Sequence, residues 1–444
     1  MPLINRFETP PRPWPPASGP HEITEAVDFT RRRDPIGHAV HTALAVLAAF
    51  GLSVSTATAS ITMTMLVGYT LLRLPNAWRG LVPLVRSPIV LAWLAWFAWA
   101  ALSGLWTPDV LDWGDSLGGF PALLLFPAFF LVSGAWRGIL GGFVAGAAFQ
   151  GAAQLVHASV PAWRPEWQPR FDGLATHPGQ VSTVSAMAAL VAIAWLAEVH
   201  EHRSRRWLVV GLAGCLMSVA LGAGRGAMVG LACGGAAMAF ALACRHGLAR
   251  RVVVVGLGGL MATVVAFGLA ALGFGPDSLV HVVRDTRPSV PDSSIAQRLL
   301  WWQASWDAFL EHPVAGLGTG ATATWFAESP RITEYAATVP NREREFFTAP
   351  HPHSIYLFTL AEQGLVGVGL MLAVLWTTLV SAWRTTALRP VACGLLGAIV
   401  AWWGAGGFDS VNLPVRIMAP LVLVSTFACL PAGRGVGLGI RPVP

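Results

Sequence analysis

Apolar stretches follow one another along the chain, each close to the length that crosses a bilayer, and short polar turns separate them. A helix needs about 20 apolar residues to span the hydrocarbon core. On that ruler the pattern predicts twelve spans, near 38–54, 57–74, 88–106, 117–134, 139–157, 181–199, 207–223, 226–244, 252–274, 364–383, 390–408 and 417–432. The turn between the first two, around Ser55–Thr58, is very short. One long polar interruption remains, at 275–353. The expected organisation is a tail over 1–37, transmembrane helices one to nine over 38–274, and a loop over 275–353. A re-entry segment with helices ten to twelve follows over 354–432, and a tail over 433–444 closes the chain. The expected fold is an all-α polytopic membrane protein.

Arginine in the short loops sets orientation. Arg31–Arg33, Arg79 and Arg86, Arg137, Arg203/Arg205/Arg206, Arg245/Arg250/Arg251 and Arg384/Arg389 fall on one side of a twelve-span arrangement. The opposite loops are acidic or mixed, with Asp109/Asp112/Asp115, Glu166/Asp172 and Asp409. Both tails are then expected in the cytoplasm, and the long loop outside. The first 37 residues are polar and Pro-rich, which does not fit a cleavable signal peptide.

Inside the long loop, Ser293 or Ser294 is placed to cap a helix carrying Ile295, Leu299, Trp302, Trp306, Phe309 and Leu310 at helical spacing, ended by His312-Pro313. A Trp-rich amphipathic helix suits a membrane interface, or it packs on the tops of the spans. Gly316-Leu317-Gly318-Thr319-Gly320 follows a helix rather than a strand, so it reads as a turn and not as a nucleotide loop.

Composition agrees with a membrane protein. The chain is 54% hydrophobic and 12% charged, with mean hydropathy +0.58, against about 25% charged residues in soluble domains. All 29 basic residues are arginine. A net charge of +6 spread over short loops encodes topology and does not argue for nucleic acid. The five cysteines, Cys215, Cys233, Cys244, Cys393 and Cys429, sit in or at the ends of apolar stretches and read as core residues without disulfides. No His-Glu-x-x-His pattern or Cys/His cluster is present, and no metal or other cofactor is expected. The turn Asp109–Asp112–Asp115 is the one plausible cation site, set against a solvated loop.

Candidate chemistry gathers at the outer ends of the spans. Two histidines, His351 and His353, flank Pro352 where the loop re-enters the apolar chain, in Ala349-Pro350-His351-Pro352-His353-Ser354-Ile355-Tyr356-Leu357. An imidazole there titrates near neutral pH beside lipid. Arg225 stands in a tight turn, Gly222-Ala223-Gly224-Arg225-Gly226, on the side where arginine is disfavoured. It reads as a phosphate ligand or as a salt-bridge partner. Arg298 starts the amphipathic helix and is either an anion ligand or a solvated residue. Arg170 precedes the sixth span and either pairs with Asp172 or meets substrate.

These residues resemble a family. His353-Ser354-x-Tyr356-Leu357 followed by Leu360-x-Glu362-x-Gly364-Leu365-x-Gly367 is similar to the signature of the O-antigen ligase and O-antigen polymerase superfamily. Glu311-His312-Pro313-x-x-Gly316-x-Gly318-x-Gly320 resembles its loop segment before the histidine. Gly224-Arg225-Gly226 resembles its Ser-Arg-Gly turn, with Gly in place of Ser. The resemblance covers roughly residues 165 to 385. It implies a metal-independent, inverting membrane glycosyltransferase of the GT-C type in the inner membrane. Such an enzyme takes a glycan from undecaprenyl pyrophosphate on the periplasmic face. In the ligase branch, which the spacing of Arg225, Arg298 and His353 favours, the acceptor is a lipid A-core sugar. Carried over residue by residue, the pyrophosphate-binding arginines fall on Arg225 and Arg298 and the essential histidine on His353, where Ser354 replaces the usual neighbouring Asn. Arg170, His351, Tyr356 and Glu362 are secondary candidates.

The alternatives are a polymerase using the same carrier-linked donor, and a non-catalytic lipid-glycan transporter. Transporters place charge at mid-membrane and show paired repeats, whereas the polar residues here cluster at one surface.

Overall fold

The computed structural model describes residues 20–108, 110–160, 173–174, 178–222, 224–246, 294–337, 352–387, 389–408 and 415–429. Among them the principal helices are α1 (Pro20–Arg33), α2 (Pro35–Val54), α3 (Thr56–Ala77), α4 (Pro88–Leu102), α5 (Trp136–Ser159), α6 (Pro178–Leu196) and α7 (His202–Gly222). They continue with α8 (Arg225–His246), α9 (Ser294–Glu311), α10 (Thr322–Glu328), α11 (Pro330–Ala337), α12 (Ile355–Thr386), α13 (Pro390–Gly406) and α14 (Val415–Cys429). No strand occurs among the described residues.

Among the described residues, seven helical segments are long and apolar enough to cross a membrane: Pro35–Val54, Pro88–Leu105, Ser133–Ser159, Gly179–Leu196, His202–Gly222, Arg225–Arg245 and Ile355–Thr386. Pro390–Gly406 and Met418–Ala428 are shorter apolar helices. The protein is therefore an all-α polytopic membrane protein. The expected span at 252–274 lies outside the described residues, as do Arg170 and His351.

Local chemistry sets the first hairpin. Asp34 caps α2, its carboxylate accepting from Gly37 N–H at 2.8 Å, with Pro35 at the first helical position. Ser55 ends α2 in an extended conformation (φ −154°, ψ 163°) and caps α3 through Thr58 N–H. One residue thus serves as the whole turn.

Between α2 and α3 lies a buried polar chain. Arg73 is 4% exposed and reaches Asp34 Oδ2 at 3.0 Å and His41 Nδ1 at 2.9 Å. His41 Nε2 lies 3.2 Å from Thr70 Oγ1, which donates to Leu66 O at 2.7 Å. A guanidinium only donates, so His41 Nδ1 accepts and its proton sits on Nε2, facing Thr70.

Two helices form the centre. α6 and α13 pack on each other and α8 packs on both, while α5 and α7 close the side nearest α2. α13 is apolar all round and buried over nearly its whole length, as expected of an interior helix. Small residues make the approach possible: Gly230 lies against Ala401 and Ala405, and Gly234 against Gly397 and Ala401. Cys215 and Cys393 are buried as expected of core residues, whereas Cys233 and Cys244 lie on exposed helix faces; all four are free thiols.

One expectation needs amendment. The segment 117–134 is not one continuous helix but a 3₁₀ stretch Leu117–Leu124, a short helix Leu125–Phe130 and a further turn at Ser133–Ala135. Gly118-Gly119, Pro121 and Pro127 disfavour an unbroken α-helix, although the stretch is apolar enough to read as a span. The tail contains α1. The re-entry segment is itself helical from Ile355 and joins the tenth span across a kink at Gly364, where that span was expected to begin.

Candidate functional site

The kink lies at Gly364, with φ 61° and ψ −162° inside α12. Breaking a helix at membrane depth frees backbone groups that must find partners. The loop after α9 supplies them. Leu317 N–H donates to Ala361 O and Gly318 N–H to Glu362 O, both at 2.9 Å. In return Leu365 N–H donates to Pro313 O at 2.9 Å and Val366 N–H to Val314 O at 3.3 Å. This backbone pairing joins the two motifs that the sequence shows 50 residues apart.

Glycine is required where these backbones meet. Gly316 (φ 72°) would drive a Cβ into the Glu362–Gln363 peptide, and Gly364 would drive one into Val314 O. Gly318 (φ 100°) lies against Thr107, and Gly320 (φ 92°) against Asp112–Trp113. The Gly-x-Gly-x-Gly run is therefore the turn expected from sequence, and its spacing records where the loop crosses α12 and the segment after α4.

Side chains lock the same junction. Glu362 is fully buried, and its Oε1 accepts from Thr322 Oγ1 at 2.7 Å and Thr322 N–H at 3.3 Å. Gln363 Oε1 accepts from Trp96 Nε1 at 2.8 Å, and its carbonyl accepts from Trp99 Nε1 at 3.1 Å. Ser103 Oγ donates to Thr319 Oγ1 at 2.7 Å and accepts from Thr319 N–H at 3.0 Å.

His353 stands at the head of this assembly. Its φ is +52°, the only positive value among the described non-glycine residues. Such a backbone costs about 1–3 kcal/mol and persists only where the surroundings over-determine it. The constraints are visible. The His353 ring stacks on Trp301, centroids 5.0 Å apart and planes inclined 23°. Trp302 Nε1 donates to Pro352 O at 2.9 Å. Tyr356 OH donates to Trp403 O at 2.8 Å. Ser354 is buried and begins α12, its carbonyl accepting from Phe358 N–H, while its side chain makes no capping bond. The stacked Trp301 is thus one constraint on the imidazole plane.

Arg298 lies three and four residues before Trp301 and Trp302, on the flank of α9 that carries both contacts to Pro352-His353. Arg225 opens α8, and about a turn and a half later Gly230 meets Ala401 and Ala405 of α13. The end of α13 then meets Tyr356 through Trp403 and Gly407, and Trp302 through Phe408. Arg225, Arg298 and His353 accordingly share one end of the helix bundle. Tyr356 stands beside them and Glu362 two turns below, inside the kink.

Sequence reasoning missed Trp301, Trp302, Thr322 and Gln363. The adjacent tryptophans one turn after Arg298 were a usable signal for the first two. Nothing in the sequence pairs Thr322 with Glu362. Of the acidic turn, Asp112 is described and lies against Gly320; Asp109 and the Asp115 side chain lie outside the described residues.

A polytopic helical membrane protein whose long loop is clamped into the kink of a re-entering helix is the class defined by this geometry. Residues 208–372 match the family model described as O-antigen ligase, and the match supports the O-antigen ligase superfamily without separating ligase from polymerase. That stretch contains α8, α9, the glycine turn, His353 and the kink. The family implies glycosyltransferase-type enzyme activity. No curated protein matches the chain.

Proposed function

We propose that the protein transfers a glycan from undecaprenyl pyrophosphate to a sugar of the lipid A core at the periplasmic face of the inner membrane, with both termini cytoplasmic. His353 acts as general base, and Arg225 and Arg298 bind the pyrophosphate. The reading is carried by the convergence of these three residues at one end of the bundle, with His353 held in a strained backbone beside the helix that bears Arg298.

The chemistry follows from the leaving group. Pyrophosphate departs readily, so the barrier lies in the charge that grows on it and in the weakly acidic acceptor hydroxyl. Two guanidinium forks supply preorganised donors to that charge. His353 removes the hydroxyl proton as the oxygen attacks the anomeric carbon, a contribution of about 10²–10⁴-fold. A single displacement inverts the anomeric centre. The polyprenyl chain stays in lipid and holds the reacting carbon at headgroup depth, so proximity lowers the barrier further. Arg170 and His351 are assigned secondary roles near the same substrate.

Lipopolysaccharide from a deletion strain, complemented with variants, tests the reading. Loss of the whole ladder with carrier-linked polymer accumulating is the expected result. A core bearing one repeat unit would make the enzyme a polymerase, and an unchanged profile would remove both readings. His353→Ala is expected to abolish transfer at normal membrane abundance. Arg225→Lys and Arg298→Lys are expected to impair it, since a point charge does not replace a fork. Transfer in EDTA is expected to persist.

A further inference from the structure

At the end of the bundle that begins α5 and α7, these helices enclose a wedge of about 690 Å³ with the end of α6. Farther along, α5 and α7 nearly touch: Gly214 lies against Ala148, and Gly151 against Gly214. Toward their starts they splay. One wall of the opening is Arg137, Gly141, Ala145 and Ala148, a single face of α5 over about 16 Å. The other is Ser204, Trp207, Leu208 and Gly211 of α7, with Trp195 of α6 as the floor. Trp207 and Val210 are exposed, so the wedge opens sideways onto the lipid-facing surface as well as endwise.

The mouth is charged with both signs. Arg137 stands on the α5 side, and Glu198, His200 and Glu201 on the other. Glu198 is turned toward α13, its Oε2 receiving Val391 N–H at 3.5 Å. Glu201 receives Ser204 Oγ–H at 2.8 Å and keeps its carboxylate at the mouth. The charges left at the mouth are thus the Arg137 guanidinium, which lies over the Trp136 ring, and the Glu201 carboxylate, above deeper walls that are apolar.

We infer that this wedge is a binding site for phosphatidylethanolamine. The Arg137 fork takes the phosphate, Glu201 takes the ammonium, and one acyl chain runs along Gly141, Ala145 and Ala148. Charge complementarity selects this occupant. A phosphatidylglycerol headgroup offers the same phosphate to Arg137 but no cation to Glu201. The site lies away from His353 and is independent of the transfer chemistry.

The test is native mass spectrometry of the delipidated full-length protein titrated with dioleoylphosphatidylethanolamine or dioleoylphosphatidylglycerol. One phosphatidylethanolamine is expected to bind ahead of the rest. Arg137→Ala is expected to weaken it about tenfold or more, a change of about 1.4 kcal/mol. Ala145→Trp, which fills the slot from its lipid-facing side, is expected to abolish it, and Glu201→Gln to remove the preference over phosphatidylglycerol. Unchanged thermal unfolding of the variants shows that the fold persists, and if Ala145→Trp unfolds it is replaced by Gly141→Leu, at a slot position with room for a side chain. Equal binding of both lipids by the wild type, or binding indifferent to Arg137→Ala and Ala145→Trp, overturns the assignment. A change in oligomeric state on Ala145→Trp without a change in lipid binding also overturns it, by giving the slot to a second copy of the chain.

Discussion

Glu362 and Gly364, two residues apart, impose different requirements on the same junction. Glu362 is needed for what it accepts: the Thr322 hydroxyl and amide both end on its Oε1. Glu362→Ala leaves both donors buried without an acceptor, which costs about 1–3 kcal/mol for each such group. Glu362→Gln keeps an oxygen in place and is expected to cost about 1 kcal/mol. The midpoint of thermal unfolding in detergent separates them, and equal destabilisation by the two variants would show that the charge, not the acceptor, matters. Gly364 is needed for its backbone. Gly364→Ala meets both the disfavoured φ and Val314 O and is expected to lose at least about 1–3 kcal/mol. Gly369→Ala, in the same helix with open space around it, is expected to be neutral or to stabilise by up to about 1 kcal/mol. Both residues were visible in the sequence as motif positions. Their physical roles were not, because each depends on a loop some 40 to 50 residues earlier in the chain.

At the scale of elements, α9 and α12 act as a pair joined at two points. One is the backbone pairing at the kink; the other is the Trp301–Trp302 clasp on Pro352-His353. Trp302→Phe keeps the ring and removes the donor to Pro352 O, at a cost of about 1 kcal/mol. Hydrogen exchange is expected to rise at the start of α12 while α13 stays protected. A uniform rise through the bundle would mean that the clasp supports the whole fold. How far such elements could be read in advance depended on their physics. Helices such as α2, α5, α8 and α13 announced themselves because membrane insertion demands long apolar runs, and that demand is local. α9 did so through its helical periodicity and its stop at His312-Pro313. The broken segment 117–134 escaped because hydropathy measures what a stretch is made of, not whether Gly118-Gly119, Pro121 and Pro127 let it stay helical. The re-entry segment before Gly364 was read only as a turn, because a polar re-entry looks like the end of a loop until its backbone partners are known. Of the site, the motif residues were legible and the tryptophans that fix the imidazole were not, since stacking between residues 301 and 353 leaves no mark on either local pattern.

For the whole molecule, the central packing of α6, α8 and α13 brings the start of α8 and the end of α13 to the same end as the clamped loop, and so assembles the candidate site from four parts of the chain. The arrangement has a counterpart in the first hairpin. Arg73, sealed between Asp34 and His41, is a cation inside α3. On insertion scales an arginine costs about 2.5–3.5 kcal/mol at a helix centre and less toward an end, so Arg73, about one turn from the end of α3, carries part of that cost. α3 therefore has reason not to enter the bilayer alone. Its partners lie on the segment made immediately before it, across a turn of one residue, so α2 and α3 are expected to leave the insertion machinery as a single unit. An insertion assay with a reporter site after α3 checks this: Asp34→Ala together with His41→Ala should lower integration of α3 in the intact hairpin, and removing the unpartnered cation as well by Arg73→Leu should recover it. On that account Asp34 and His41 matter first to how the chain is made, before there is a bundle for them to stabilise.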